Sequence, residues 1–268
     1  MIKFFKMLLA WIVSLFDDGR PKDLFFKGSM FFPTPDGIGV DSALGFANID
    51  VADTDAHRRY SIDAIAKCGG DALVYIAEKL FNNPTLQAEL TGENSEIVKY
   101  ARSKGVNRWI VVLKNDNHKF PFANVEALIQ QIAIAYKWAS DKEMVLVTCL
   151  ESDEVQVGKP ILTPVQVRQM IGWCNKYAPG KRVIIGSAND AWLKQFKDSG
   201  AELWLEIQPH PFQLSMANAE AFVQKIQALK AFGPVWAGEY GRGQGDAAKY
   251  VTRRAREIGC VGIGSYVQ

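Results

Sequence analysis

The chain has 268 residues, 48% of them apolar and 22% charged, with 31 Lys plus Arg against 29 Asp plus Glu. This composition excludes a disordered, collagen-like or polytopic membrane protein, and a chain of this length can bury one large core without metal or disulfide staples. The two charge signs nearly balance and are spread evenly, so no basic field exists to hold a nucleic-acid backbone, and nucleic acid is not expected as a partner.

At the N-terminus, Lys3 and Lys6 lead into Met7-Leu8-Leu9-Ala10-Trp11-Ile12-Val13-Ser14-Leu15-Phe16, which has the charge and length of a signal-peptide core. Asp17-Asp18-Gly19-Arg20-Pro21 follows directly, with no small-x-small cleavage site, and the apolar run is too short to span a bilayer. Residues 2–16 therefore read as a retained helix. Residues 17–42, with Phe25-Phe26, Phe31-Phe32, Pro33 and Pro35, read as an ordered lead-in, so the domain division expected is 1–42 and 43–268.

Beyond that point the dominant signal is a repeating grammar of helix, closing glycine and buried strand. Gly69-Gly70 precedes Ala72-Leu73-Val74-Tyr75-Ile76, Gly105 precedes Trp109-Ile110-Val111-Val112-Leu113, and Gly180 precedes Val183-Ile184-Ile185. Gly200, Gly233 and Gly259 stand likewise before Leu203-Trp204-Leu205, Val235-Trp236-Ala237 and Val261-Gly262-Ile263. A glycine in the left-handed conformation ends a helix, which is why this punctuation marks helix-to-strand junctions. Helix starts agree: Thr163-Pro164-Val165-Gln166 is a capping box with proline at the first helical position, and Ser95 precedes Glu96-Ile97-Val98. Val125, Leu128, Ile129, Ile132, Ala135 and Tyr136 follow the spacing of a helix with one buried face.

Eight strands are expected near 43–51, 71–78, 108–115, 144–151, 182–188, 201–208, 234–239 and 260–267, alternating with seven helices. Strands apolar on both faces and joined by helices form a parallel sheet, and eight such units fit a closed (β/α)8 barrel. The chain stops just after the eighth strand, so the eighth covering helix is missing from its usual place. The N-terminal helix has two open readings: it fills that place, or its nearly all-round apolar surface docks on a membrane, another chain or a larger assembly.

In such a barrel the loops after the strands carry the site. Asp50 follows strand one, Glu78 strand two, Asn115 and His118 strand three, Glu151 and Glu154 strand four, and Asn189 strand five. Glu206 and His210 follow strand six, Glu239 and Tyr240 strand seven, and Tyr266 strand eight. Glu151 and Glu239 stand out because each ends an otherwise apolar run, on roughly opposite sides of the ring. Two carboxyl groups facing one another across a barrel mouth suit glycoside hydrolysis, one as acid and base at the bridging oxygen, the other at the anomeric carbon.

Pro234-Val235-Trp236-Ala237-Gly238-Glu239-Tyr240-Gly241 resembles the Gly-Glu-Phe-Gly strand-seven motif of the cellulase-type clan of (β/α)8 retaining glycoside hydrolases. The resemblance covers the barrel and two strand ends. It implies Glu239 as nucleophile and Glu151 as acid/base, on a polysaccharide or oligosaccharide substrate and with no cofactor. Two departures stand in the sequence: Leu150-Glu151-Ser152 replaces the clan's Asn-Glu-Pro, and Tyr266 replaces the clan's tryptophan. Glu154 is a competing acid. Tyr266, His210, Glu206, Tyr240, Asp50 and Asn115 are the expected substrate-binding residues, and Trp236 is a further source of aromatic surface for a sugar. The alternative is a barrel without catalysis that serves as a carbohydrate-binding or structural part of a larger, phage-type assembly.

Other barrel chemistries fit less well. The three histidines form no His-x-His pair on strand one, so no metal site is expected, and strand six carries no lysine for a Schiff base. Gly241-Arg242-Gly243-Gln244-Gly245 is only a weak phosphate-loop signal, and His118 reads as a loop histidine. Cys68, Cys149, Cys174 and Cys260 form no Cys-x-x-Cys pair and read as buried free thiols. Cytoplasmic thiol usage without a cleavable signal, beside a polysaccharide substrate, points to a chain released by lysis or carried with a virion.

Overall fold

The computed structural model describes residues 26–29, 55–67, 71–77, 81, 84–113, 120–153, 155–156, 159–207, 214–238 and 246–265. Eight parallel strands close into a barrel: β1 (Phe26–Ser29), β2 (Ala72–Ile76), β3 (Arg108–Val112), β4 (Met144–Val147), β5 (Arg182–Ser187), β6 (Glu202–Leu205), β7 (Val235–Ala237) and β8 (Gly262–Ser265). Around them run α1 (Asp55–Lys67), α2 (Pro84–Thr91), α3 (Glu96–Ser103), α4 (Val125–Ala135), α5 (Pro164–Tyr177), α6 (Asp190–Lys194), α7 (Met216–Leu229) and α8 (Asp246–Ile258). A small antiparallel hairpin, Val155–Gln156 with Lys159–Pro160, sits between β4 and α5.

The local signals act as their chemistry requires. Thr163 and Gln166 cap α5 reciprocally, with Gln166 N–H donating to Thr163 Oγ1 at 3.3 Å and Thr163 N–H to Gln166 Oε1 at 2.8 Å. Ser95 Oγ accepts from Val98 N–H at the start of α3. Gly105, Gly180, Gly200 and Gly259 hold φ of +80°, +82°, +75° and +84° at the helix-to-strand junctions. Val125, Leu128, Ile129 and Ile132 are the buried stripe of α4, and Tyr136 just beyond it is buried too.

Side-chain parity divides the strands into two layers. Leu73, Tyr75, Trp109, Val111, Leu146, Ile185, Leu203 and Val235 pack outward with the helices. Ala72, Val74, Ile110, Val112, Val145, Val147, Ile184, Trp204 and Trp236 form a second cluster with Leu150, which fills the barrel interior. Trp204 and Trp236 stack there, with ring centroids 5.4 Å apart and planes 18° apart. Each leans on a glycine of the next strand: a Cβ on Gly238 would collide with the Trp204 indole and lie 2.6 Å from Leu205 O, and one on Gly262 would collide with the Trp236 ring. Towards the N-terminal ends of the strands, Arg182 and Glu202 make a bidentate pair at 2.7 Å, and the Trp236 indole N–H also donates to Glu202.

One expectation needs correction. The strand that takes the first place in the ring is Phe26–Ser29, inside the stretch that reads as a lead-in; the 43–51 run lies outside the described residues. Four residues of β1 pair with β8 and Gly28 pairs with Ala72 of β2, closing the ring. The apolar segment 2–16 lies outside the described residues.

Candidate functional site at the barrel mouth

The expected strand 144–151 is shorter in the structure, because β4 ends at Val147 and the chain then arches. Thr148 N–H still donates to Ile184 O at 2.9 Å, and Gly186 N–H donates to Cys149 O at 3.2 Å. Contact with β5 resumes only at Ser152, whose N–H donates to Gly186 O at 3.2 Å. Leu150 and Glu151 form the arch between these anchors. Glu151 has φ of +51° and is the one non-glycine residue with positive φ among the described residues. Glu151 is half-buried, within the turn that follows β4 and not at a strand end.

The arch lies over Gly186. A Cβ at that position would be 2.8 Å from Leu150 Cδ2 and 3.2 Å from Leu150 Cα, so only glycine lets the two segments approach this closely. Glu206 follows β6 directly, and its N–H extends the ladder to Ser187 O at 3.1 Å. Glu206 is 3% exposed, the only buried acidic or basic residue among those described, and its Oε1 lies 3.1 Å from the same Gly186 Cβ position. Glu206 therefore faces the mouth from inside the ring, beneath the arch that carries Glu151.

Polar side chains tie the arch to β5 and α6. Ser152 is fully buried; its Oγ donates to Gly186 O at 3.1 Å and accepts from Trp192 Nε1 at 2.9 Å. Ser187 Oγ donates to Asp153 and accepts from Asn189 N–H at 2.8 Å. Asn189 Oδ1 accepts from Ala191 and Trp192 N–H at 3.0 and 3.2 Å and caps α6. Asp190 opens that helix, its carboxyl held below the ordinary aspartate value chiefly by the hydrogen bond from Lys194. Trp192 was not anticipated from the sequence; the Asn-Asp start of α6, with an aromatic residue three positions after the cap, is the signal that could have found it.

On β7 the ladder runs to Gly238, whose N–H donates to Leu205 O at 2.7 Å, and Glu239 is the next residue. Glu239, Tyr240, His210, Tyr266, Asp50, Asn115 and Glu154 lie outside the described residues, as does His118. Trp236 is a correction: it is completely buried, stacked on Trp204 inside the ring, and offers no surface to a sugar. Its inward direction follows from strand parity, which sends alternate residues of so short a strand to the barrel axis.

No protein-family model matches the chain, and no curated protein matches it. Solved structures do. A GH5 family lichenase from Caldicellulosiruptor sp. F32 superposes with a TM-score of 0.51 at 13% identity, covering 92% of this chain and 84% of that one. The catalytic domain of CelCCA gives 0.51 at 13% identity, covering 91% and 81%. Rutinosidase from Aspergillus niger gives 0.50 at 14% identity, covering 78% and 74%. At these identities the likeness is one of fold: the chain is a (β/α)8 barrel whose structural neighbours include cellulase-type glycoside hydrolases.

Proposed function

We propose that the protein is a glycoside hydrolase that cleaves a polysaccharide by a retaining mechanism, with Glu239 as nucleophile and Glu151 as acid/base. The observation that supports this reading is the placement of one acidic residue directly after the β7 ladder and another in the arch after β4, in a barrel with glycoside hydrolase neighbours. In the first step a Glu239 carboxylate oxygen bonds to the anomeric carbon as the glycosidic C–O bond breaks, and Glu151 delivers its proton to the departing oxygen. In the second, Glu151 takes a proton from water, the water oxygen bonds to the anomeric carbon, and the bond to Glu239 breaks. Tyr266, His210, Glu206, Tyr240, Asp50 and Asn115 are the proposed sugar contacts, with Glu206 the one whose place in the mouth is described.

The test is release of reducing ends from a panel of polysaccharides. Glu239→Gln abolishes release from every polymer the wild type cleaves, and a crystal structure places the two carboxyl groups about 5–5.5 Å apart. A separation of roughly 6.5–9.5 Å assigns an inverting mechanism instead. A wild type that cleaves nothing yet binds saccharide is a carbohydrate-binding barrel.

A further inference from the structure

We propose that Ser152 and Trp192 are positioning residues that hold Glu151 in its left-handed backbone conformation and so aim its carboxyl group at the barrel mouth. The inference rests on Glu151 being the acid/base of the proposed reaction.

A glutamate at φ +51° occupies a region that non-glycine residues rarely visit, and such a residue persists only where its surroundings over-determine it. Here they do. Upstream, Cys149 O accepts from Gly186 N–H, and downstream Ser152 is bound through every polar group it owns. Its N–H and Oγ both donate to Gly186 O, its carbonyl accepts from Leu162 N–H at 3.1 Å, and its Oγ accepts from Trp192 Nε1. Only Leu150 and Glu151 lie between the two anchors, and Leu150 is seated on Gly186, so the arch has no free residue with which to unwind.

Trp192 makes the clamp rigid because it is itself fixed from three sides. Its N–H is capped by Asn189, its ring meets Phe196 edge-on with centroids 5.6 Å apart, and the Asp190–Lys194 pair braces the same helix. Ser152 Oγ has one proton, and the Trp192 donor directs that proton to Gly186 O by occupying the oxygen's acceptor side. Removing the indole N–H therefore loosens the second anchor of the arch. The direction of an acid relative to the scissile bond matters most where the leaving group needs its proton.

Trp192→Phe keeps an aromatic ring and deletes the donor, and Ser152→Ala deletes the hydroxyl. Both full-length variants are assayed beside the wild type on para-nitrophenyl and dinitrophenyl β-glycosides of glucose, mannose and cellobiose, and their crystal structures are solved. The expected result is a fall in kcat/KM of about 10- to 100-fold on the more basic nitrophenol, with dinitrophenyl glycosides nearly unaffected, and residue 151 out of the left-handed region. Equal losses on both leaving groups, or an unchanged φ at residue 151 in both variants, overturns the proposal. A wild type inactive on the whole panel sinks the glycosidase reading, and the clamp is then decided by the backbone: a relaxed residue 151 upholds it and an unchanged one overturns it.

Discussion

The indole of Trp204 on β6 occupies the space that Gly238 leaves open just after β7, one residue before Glu239. The glycine of the Gly-Glu pair thus has a packing cause that is independent of chemistry. Gly238→Ala forces a methyl group into the buried indole and into Leu205 O, and is expected to destabilise the fold by about 1–3 kcal/mol. Urea denaturation measures this. Trp204→Phe in the same chain should recover part of the loss, and strictly additive effects would refute the packing account.

The Arg182–Glu202 pair is largely, though not fully, withdrawn from solvent, each side chain being 14% exposed. Glu202→Ala removes the acceptor that the guanidinium and the Trp236 N–H share and is expected to cost about 1–3 kcal/mol. Replacing both partners by apolar residues of similar volume, as Arg182→Met with Glu202→Leu, should cost far less. A double variant as unstable as the single one contradicts this.

Acid should loosen α6 before it unfolds the barrel. The folded-state pKa of Asp190 lies below its unfolded value, so the group contributes stability that is present above about pH 4 and lost as pH falls through the folded pKa. Asp190→Asn removes that part of the acid limb. Amide exchange of Trp192 followed from neutral pH downward detects it, and identical profiles for variant and wild type would rule it out.

Thiol labelling separates exposed from buried cysteines. Cys149, Cys174 and Cys260 are buried, and burial pushes the Cys174 thiol up to about 12. Native protein at pH 8 should therefore label at no more than one of its four cysteines, with the rest reacting only in denaturant. Labelled-mass counting gives the answer directly.

The cap on α5 offers a smaller, cleaner quantity. Thr163→Ala removes one half of a reciprocal cap and should cost about 1 kcal/mol, with no change in the denaturant slope.

The parts of the barrel that were legible in the sequence are those where one local cause dominates. A glycine obliged to take positive φ after a helix marks Gly105, Gly180, Gly200 and Gly259, and long β-branched runs mark β2, β3 and β5. What escaped depends on partners far along the chain. β1 is Phe26-Lys27-Gly28-Ser29, with no β-branched residue and no apolar alternation, and it is a strand because β8 and β2 supply its neighbours. The run 144–151 shows no break in hydrophobicity, yet its last residues leave the sheet because Leu150 must pass over Gly186. Trp236 reads as a sugar platform from composition alone; its burial follows from Trp204 and Gly262, which no local pattern connects to it.

The ring seam has a consequence for how the barrel opens. Among the described residues, β1 meets β8 along its whole length but meets β2 through a single registered pair, Gly28 with Ala72. The weak joint among the described strand pairs is the one between β1 and β2. With that joint open, the sheet has Ala72–Ile76 as a bare apolar edge, the kind of template that recruits a second chain. Refolding at high protein concentration should therefore favour association at the β2 edge, however stable the closed ring becomes.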